Sequence, residues 1–345
     1  MPRVRRWSNL PAVPRSIAIL THAACVGHDP GLDHPERPER LGAVVDAIRR
    51  DAPLVGAVRF AEAAPAREAD LLRVHSAAHI DRLRAAAVRA RRTGERVALD
   101  ADTRASAGSW AAALAAAGCA VAAARAVAER RTDVAFAIAR PPGHHAGPVR
   151  AAGFCLANNV AVAARAVQAA GLARRVLVVD WDAHHGDGTQ EIFWQDPTVY
   201  VLSVHLADEY PGTGSPEERG EGAGAGTTRN VPLPAGTGGT AYRRALRDAL
   251  DAALAEFSPD LVIASAGFDV LAGDPEGGFA LEPCDLHGIA ADVLDRAGGR
   301  AALVLEGGYV PDRIGAGAVD VLRAAAGLPP AEGPAPRRVD RQPNP

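Results

Sequence analysis

The chain has 345 residues, 48% of them hydrophobic, which supplies a packed core and excludes disorder over most of its length. A formal net charge of −3 gives no electrostatic ground for a nucleic-acid partner, and none is expected. Every basic residue other than histidine is Arg, which marks base composition rather than function.

No run approaches the length needed to cross a bilayer, and the apolar stretch Ser16–Leu20 is too short for a signal-peptide core, so no membrane partner is expected. Cys25, Cys119, Cys155 and Cys284 are scattered without a C-x-x-C pair, which excludes a zinc knuckle and a disulfide framework. A reducing cytoplasm is the expected location.

In chain order, residues 1–15 read as a loose Pro/Arg-rich segment, 16–325 as one domain, and 326–345 as a second loose tail. Strands are expected at Ile17–Leu20, Val134–Ile138, Val176–Val179, Val199–Ser203, Leu261–Ala264 and Ala302–Leu305. Each run is continuously apolar, as in a parallel sheet buried on both faces. Residues 105–129, 157–170, 240–256 and 284–298 have the length and Ala/Leu content of helices. This alternation predicts an α/β domain. The Gly-rich stretch 220–226 reads as a flexible loop, because no strand runs directly into it.

Parallel sheets bind ligands beyond the carboxyl ends of their strands, and here four strands run straight into polar clusters. After 176–179 comes DWDAHHGDG, in which Asp182 and His184, two apart, point the same way if the chain is extended. After 261–264 comes SAGFD, with Asp269. Two carboxylates and an imidazole suit a divalent metal such as zinc and leave positions open for water and substrate; iron(II) also fits such a donor set. After 134–138 comes RPPGHHAGP, whose adjacent histidines sit in a Pro/Gly turn. His145 reads as a general base and His144 as its electrostatic partner or a proton donor. Asp180 and Asp187 are free to orient the imidazoles. After 302–305 comes Glu-Gly-Gly-Tyr, where Tyr309 can place a hydroxyl over a developing oxyanion. Any one of these residues alone would pass for an ordinary loop group; together at strand ends they describe a hydrolytic site.

The motifs HPERPERL (34–41), LLRVHS (71–76), PPGHH (141–145), GFCLANN (153–159), DWDAHHGDGTQ (180–190), YPGTG (210–214), AGFD (266–269) and LEGGY (305–309) together resemble the histone deacetylase superfamily, which includes acetylpolyamine amidohydrolases and acetoin-utilisation proteins. GFCLANN and LEGGY are most similar to the class II branch and its bacterial relatives. The resemblance implies a three-layer arginase-deacetylase fold with a central parallel sheet of about eight strands. It also implies zinc on Asp182, His184 and Asp269, with His144 and His145 oriented by Asp180 and Asp187 respectively, and Tyr309 as donor to the carbonyl oxygen. Gly153, Phe154 and Tyr210 would line a narrow tunnel, Asp102 would hold substrate at its rim, and Arg40 would line a cavity for released acetate. Structural K+ or Na+ would take an inner position at Asp180, Asp182, His184, Ser203 and Val204, and an outer one at Phe193, Asp196 and Val199. Cys155 is expected to be a packed thiol.

The resulting expectation is a deacetylase that frees acetate from acetyl-lysine protein or from an acetylated polyamine or other small amine. Glu276 matches the gatekeeper of polyamine-selective relatives, against the plain reading of a solvated loop carboxylate; the narrowing insertion of those relatives is not evident around residues 28–34. A dimetal ureohydrolase would need a carboxylate where Gly186 stands. A catalytically weak binding protein of the same fold would ordinarily lack a ligand, a histidine of the pair or the tyrosine. A homo-oligomer stays open.

Overall fold

The computed structural model describes residues 15–331. Ten strands form: β1 (Ile17–Thr21), β2 (Val58–Glu62), β3 (Val97–Ala98), β4 (Arg104–Ala105), β5 (Val134–Ala137), β6 (Val176–Asp180), β7 (Val199–Leu206), β8 (Thr228–Leu233), β9 (Leu261–Ala266) and β10 (Ala301–Leu305). Eight make one wholly parallel sheet in the order β2-β1-β5-β10-β9-β6-β7-β8, while β3 and β4 form a small antiparallel hairpin. The six expected strands are all present. β2 and β8 are additions at the two edges. Their sequences, VRFAE and TRNVPL, carry polar residues and a Pro that an edge strand tolerates, so they lack the continuous apolar run of a strand covered on both faces.

Helices pack on both faces, as parallel sheets require. The four expected helices are Ser109–Ala128, Asn159–Ala169, Gly239–Glu256 and Pro283–Arg296. Glu39–Arg50, Ala77–Thr93 and Pro311–Ala326 join them. Ser109–Ala128 corrects one expectation: its 20 residues, at a mean hydropathy of 1.7, are long and apolar enough to cross a membrane by length and composition. In the fold it is buried on almost every side, against the sheet and Asn159–Ala169, which explains its uniform apolarity.

The C-terminal boundary also shifts. Pro311–Ala326 is helix to its last residue, Leu328 and Ala331 pack against the core, and His287 Nε2 bonds the Leu328 carbonyl at 2.8 Å. Residues 1–14 and 332–345, the rest of the expected loose ends, lie outside the described residues. The 220–226 segment is no free loop either: it holds a short 3₁₀ turn, Gly222–Gly224, and Glu221 N–H donates to the Trp194 carbonyl.

The four strands β5, β10, β9 and β6 are adjacent at the sheet centre. Their register aligns Asp180 with Ser265, and Ala266 with Leu305, so the polar segments that follow emerge side by side.

Candidate active site

Beyond β6 the chain turns rather than staying extended, so Asp182 and His184 converge through a tight turn and not through strand alternation. His184 Nδ1 lies 3.1 Å from Asp182 Oδ1 and 3.3 Å from Asp269 Oδ2. The three donors fall within 4.8 Å of one another, and both carboxylates are fully buried. Asp182 Oδ2 accepts Gly307 N–H (2.8 Å) and Asp269 Oδ1 accepts Ala183 N–H (2.8 Å), but Asp269 Oδ2 is buried without a hydrogen-bond partner. Burial, then the Asp182 charge, pushes the Asp269 carboxyl up to about 7. Burial opposes a charge on His184, yet the two carboxylates raise it well above its ordinary value. A buried position that demands positive charge and leaves an oxygen orphaned fits a divalent cation. Gly307 is required beside it, since a Cβ there would collide with Asp269 Oδ2.

The histidine pair stands next to this cluster, with ring centroids 4.0 Å apart. His144 Nδ1 meets Asp180 Oδ2 at 3.0 Å, and His145 Nδ1 meets Asp187 Oδ1 at 2.7 Å, as the resemblance implies. The two rings differ electrostatically. Burial disfavours charge on His144, but Asp182 and Asp180 outweigh it and raise the ring to about 10. Burial, and then charged His144, lower His145 to about 3. Asp187 Oδ2 takes Arg150 Nη2 at 2.7 Å, which keeps Asp187 anionic, so the His145 proton sits on Nδ1 and leaves the Nε2 lone pair free.

Tyr309 follows β10, almost fully buried, and its ring stands edge-on to Phe154 at 5.7 Å. Tyr210 stands edge-on to His145 at 4.9 Å and is 39% exposed, which puts it at the mouth. Gly153 has φ +53°, and a Cβ there would strike the His145 ring, so only glycine lets this wall approach the base. Asp102 is half-buried, and burial, followed by the Asp102 charge, raises the Tyr210 hydroxyl above its ordinary value. His34 donates to the Asp102 carbonyl (3.1 Å) and stacks edge-on against Phe154 at 4.4 Å, a wall residue quoted in HPERPERL without a role.

Residues 34–325 match the family model described as the histone deacetylase domain. The chain belongs to the histone deacetylase family. It is 38% identical over 301 residues to a probable deacetylase of Archaeoglobus fulgidus, covering 84% of this chain and 80% of that protein. It is 40% identical over 301 residues to histone deacetylase 15 of Arabidopsis thaliana, covering 86% of this chain but only 53% of that longer protein. The solved HDA15 HD domain superposes with a TM-score of 0.86 at 36% identity, covering 92% of this chain and 90% of that one. The parallel eight-stranded sheet is thus the deacetylase-family fold, and the family assignment makes the chain a hydrolase of the deacetylase type.

Within this deacetylase-family site, Arg40 and the residues expected at the two cation positions have the following partners. Arg40 is held at all three of its guanidinium nitrogens. It is buried, with Nη1 on Glu36 (3.0 Å), Nε on the Gly308 carbonyl (2.5 Å), Nη2 on the Glu306 carbonyl, and its guanidinium 5.0 Å from the Tyr309 ring centroid. At the outer cation position, the Asp196 carboxylate pairs with Arg165 at 2.6 Å, the Arg165 guanidinium lies over the Phe193 ring at 4.8 Å, and the Phe193 carbonyl accepts Asp196 N–H. Val199 stands at the start of β7. At the inner position, Asp180 and Ser203 are register partners, Ser203 Oγ bonds His205 (2.8 Å), and the Val204 carbonyl takes the Tyr242 hydroxyl (3.0 Å). Glu276 lies exposed on the turn after Asp269, its N–H given to Asp274.

Glu306 was quoted in LEGGY without a role, and it holds the site together. Its buried carboxylate accepts the Gly143 and His144 N–H groups (2.6 and 3.2 Å) and the Ser265 hydroxyl (3.2 Å), joining the ends of β5, β9 and β10. Glu306, His144 and Cys155 form a second buried donor cluster among the described residues, but Glu306 and His144 already hold partners, and burial raises the Cys155 thiol well above its ordinary value. Cys155 is a packed thiol, as expected.

Proposed function

We propose that this chain is a zinc-dependent deacetylase that hydrolyses the acetyl-amide of an acetylated amine, releasing acetate. The observation that carries the reading is the orphaned Asp269 Oδ2 in the Asp182–His184–Asp269 cluster, beside a neutral His145 with a free Nε2. Bound zinc would polarise the acetyl carbonyl and lower the pKa of water from about 15.7 to about 7; iron(II) suits the same donors.

The remaining steps belong to the chain's own residues. His145 Nε2 takes the proton from the attacking water, while Asp187 fixes the Nδ1 tautomer. His144 adds positive charge beside it. Tyr309 donates its hydroxyl to the carbonyl oxygen as charge develops there, an interaction whose loss commonly costs about 10²–10³ in turnover. A histidine of the pair protonates the departing nitrogen, giving acetate and a free amine. Gly153, Phe154 and Tyr210 hold the alkyl stem, and Asp102 engages the substrate at the rim. A monovalent cation at the inner position and a cytoplasmic location belong to the same reading.

For the substrate, the half-buried Asp102 and the exposed Glu276 on the turn after Asp269 favour an amine that carries further positive charge. Acetate release from a mono-acetylated triamine and from an acetyl-lysine peptide compares the two classes. Glu276 is solvent-exposed, so Glu276→Leu should lower kcat/KM for the triamine only about 2- to 5-fold relative to the peptide. Preference for the peptide, unchanged in Glu276→Leu, would point to protein acetyl-lysine instead.

A further inference from the structure

Tyr309 follows two glycines, and a hydroxyl that must meet a developing oxyanion needs its backbone held from outside that segment. Two side chains do so. Arg40 takes the Glu306 and Gly308 carbonyls, and Asp274 Oδ2 accepts the Tyr309 N–H at 2.7 Å. The other oxygen of the same carboxylate, Asp274 Oδ1, accepts the Glu276 N–H at 3.1 Å. Asp274 sits five residues beyond Asp269, is only 9% exposed, and closes its own turn by accepting Gly277 N–H on its carbonyl at 3.2 Å. One buried side chain therefore links the segment that follows a metal-ligand candidate, the turn bearing Glu276, and the backbone of the oxyanion donor.

We infer that Asp274 is a positioning residue for Tyr309, holding its hydroxyl over the reacting carbonyl and tying it to the turn that carries Glu276. The inference rests on the deacetylase reading. Only a carboxylate accepts at both oxygens; an amide would turn a donor toward one of the two N–H groups, and Ala would leave both without an acceptor. Misplacement of a reacting group by about 1 Å costs on the order of 10² in rate, so the effect belongs in kcat rather than in substrate capture.

The test is a double-mutant cycle on the zinc-loaded full chain, scored by acetate release. Asp274→Ala should lower kcat about 10- to 100-fold with KM within about threefold. In the Tyr309→Phe background the same change should add less than about threefold, because the group it positions is gone. Equal losses in both backgrounds, or no loss in the wild-type background, would overturn the inference. If Asp274→Ala does not fold, Asp274→Asn carries the same cycle at smaller amplitude. A crystal structure of the variant gives an independent reading: a displaced Tyr309 supports the inference and an unmoved one refutes it. If the wild-type protein releases no acetate, the deacetylase reading fails on its own, and the position of Tyr309 in that crystal structure still decides.

Discussion

His145→Ala should lower kcat for acetate release by about 10²–10⁴, the range for loss of a positioned general base, while zinc remains bound stoichiometrically. The two outcomes separate because His145 is not among the three converging ligand donors. Its Nδ1 is committed to Asp187 at 2.7 Å and its ring is held low, near 3, by burial and by its charged neighbour. A base that is neutral throughout the working range has its lone pair available, and Ala removes it without touching the Asp182–His184–Asp269 cluster. Steady-state kinetics with metal analysis on the same sample checks both parts. A loss below about fivefold would assign proton removal to His144 or to solvent.

Arg140→Met should destabilise the fold by about 3–5 kcal/mol, the cost of stranding a buried charge. Arg140 and Glu36 are both fully buried, paired at 2.7 Å through Nε and 2.5 Å through Nη2, with Arg140 also held by the Cys25 and His28 carbonyls. Burial works to raise the Glu36 carboxyl, but Arg140 and Arg40 overcome it and hold it at about 2 against an ordinary 4.5. A depressed carboxyl stabilises the fold above its unfolded value and loses that contribution as pH falls through the folded one. Urea unfolding should therefore show the full difference between wild type and variant above pH 4.5, shrinking as pH falls toward 2. The consequence reaches the site, because Glu36 also anchors Arg40, which holds the Glu306 and Gly308 carbonyls.

The site was legible in sequence to the extent that its residues follow buried strands directly. β5 and β10 are apolar throughout and β6 and β9 are apolar up to Asp180 and Ser265, so His144, His145, Asp182, His184, Asp269 and Tyr309 could be placed together from the segments that follow. The edges failed for the opposite reason: β2 and β8 have water on one side, and their polar residues break the pattern. The convergence of Asp182 and His184 was anticipated through the wrong geometry, because a turn can bring side chains two apart together as strand alternation does. The contacts of Arg40 were not legible, because a motif names a residue and not its partners. Those partners, Glu306 and Gly308, lie more than 260 residues away in sequence and meet it only in the fold. Asp274 and Glu306 were missed likewise, since an acidic residue beside glycines or a proline in a loop is usually solvated. Ser109–Ala128 shows the limit of composition, because a helix enclosed by protein and a membrane-length helix share the same apolar content.

The central claim is that the Asp182–His184–Asp269 cluster holds the metal on which hydrolysis depends. The direct measurement is to strip the protein with a chelator, titrate zinc back, and follow bound metal and acetate release together, with Asp269→Asn alongside. Activity should be lost on stripping and return in proportion to one zinc per chain, whereas in Asp269→Asn zinc should not bind tightly and activity should not return. Full acetate release from the stripped protein, or stoichiometric tight zinc in Asp269→Asn with activity intact, would contradict it.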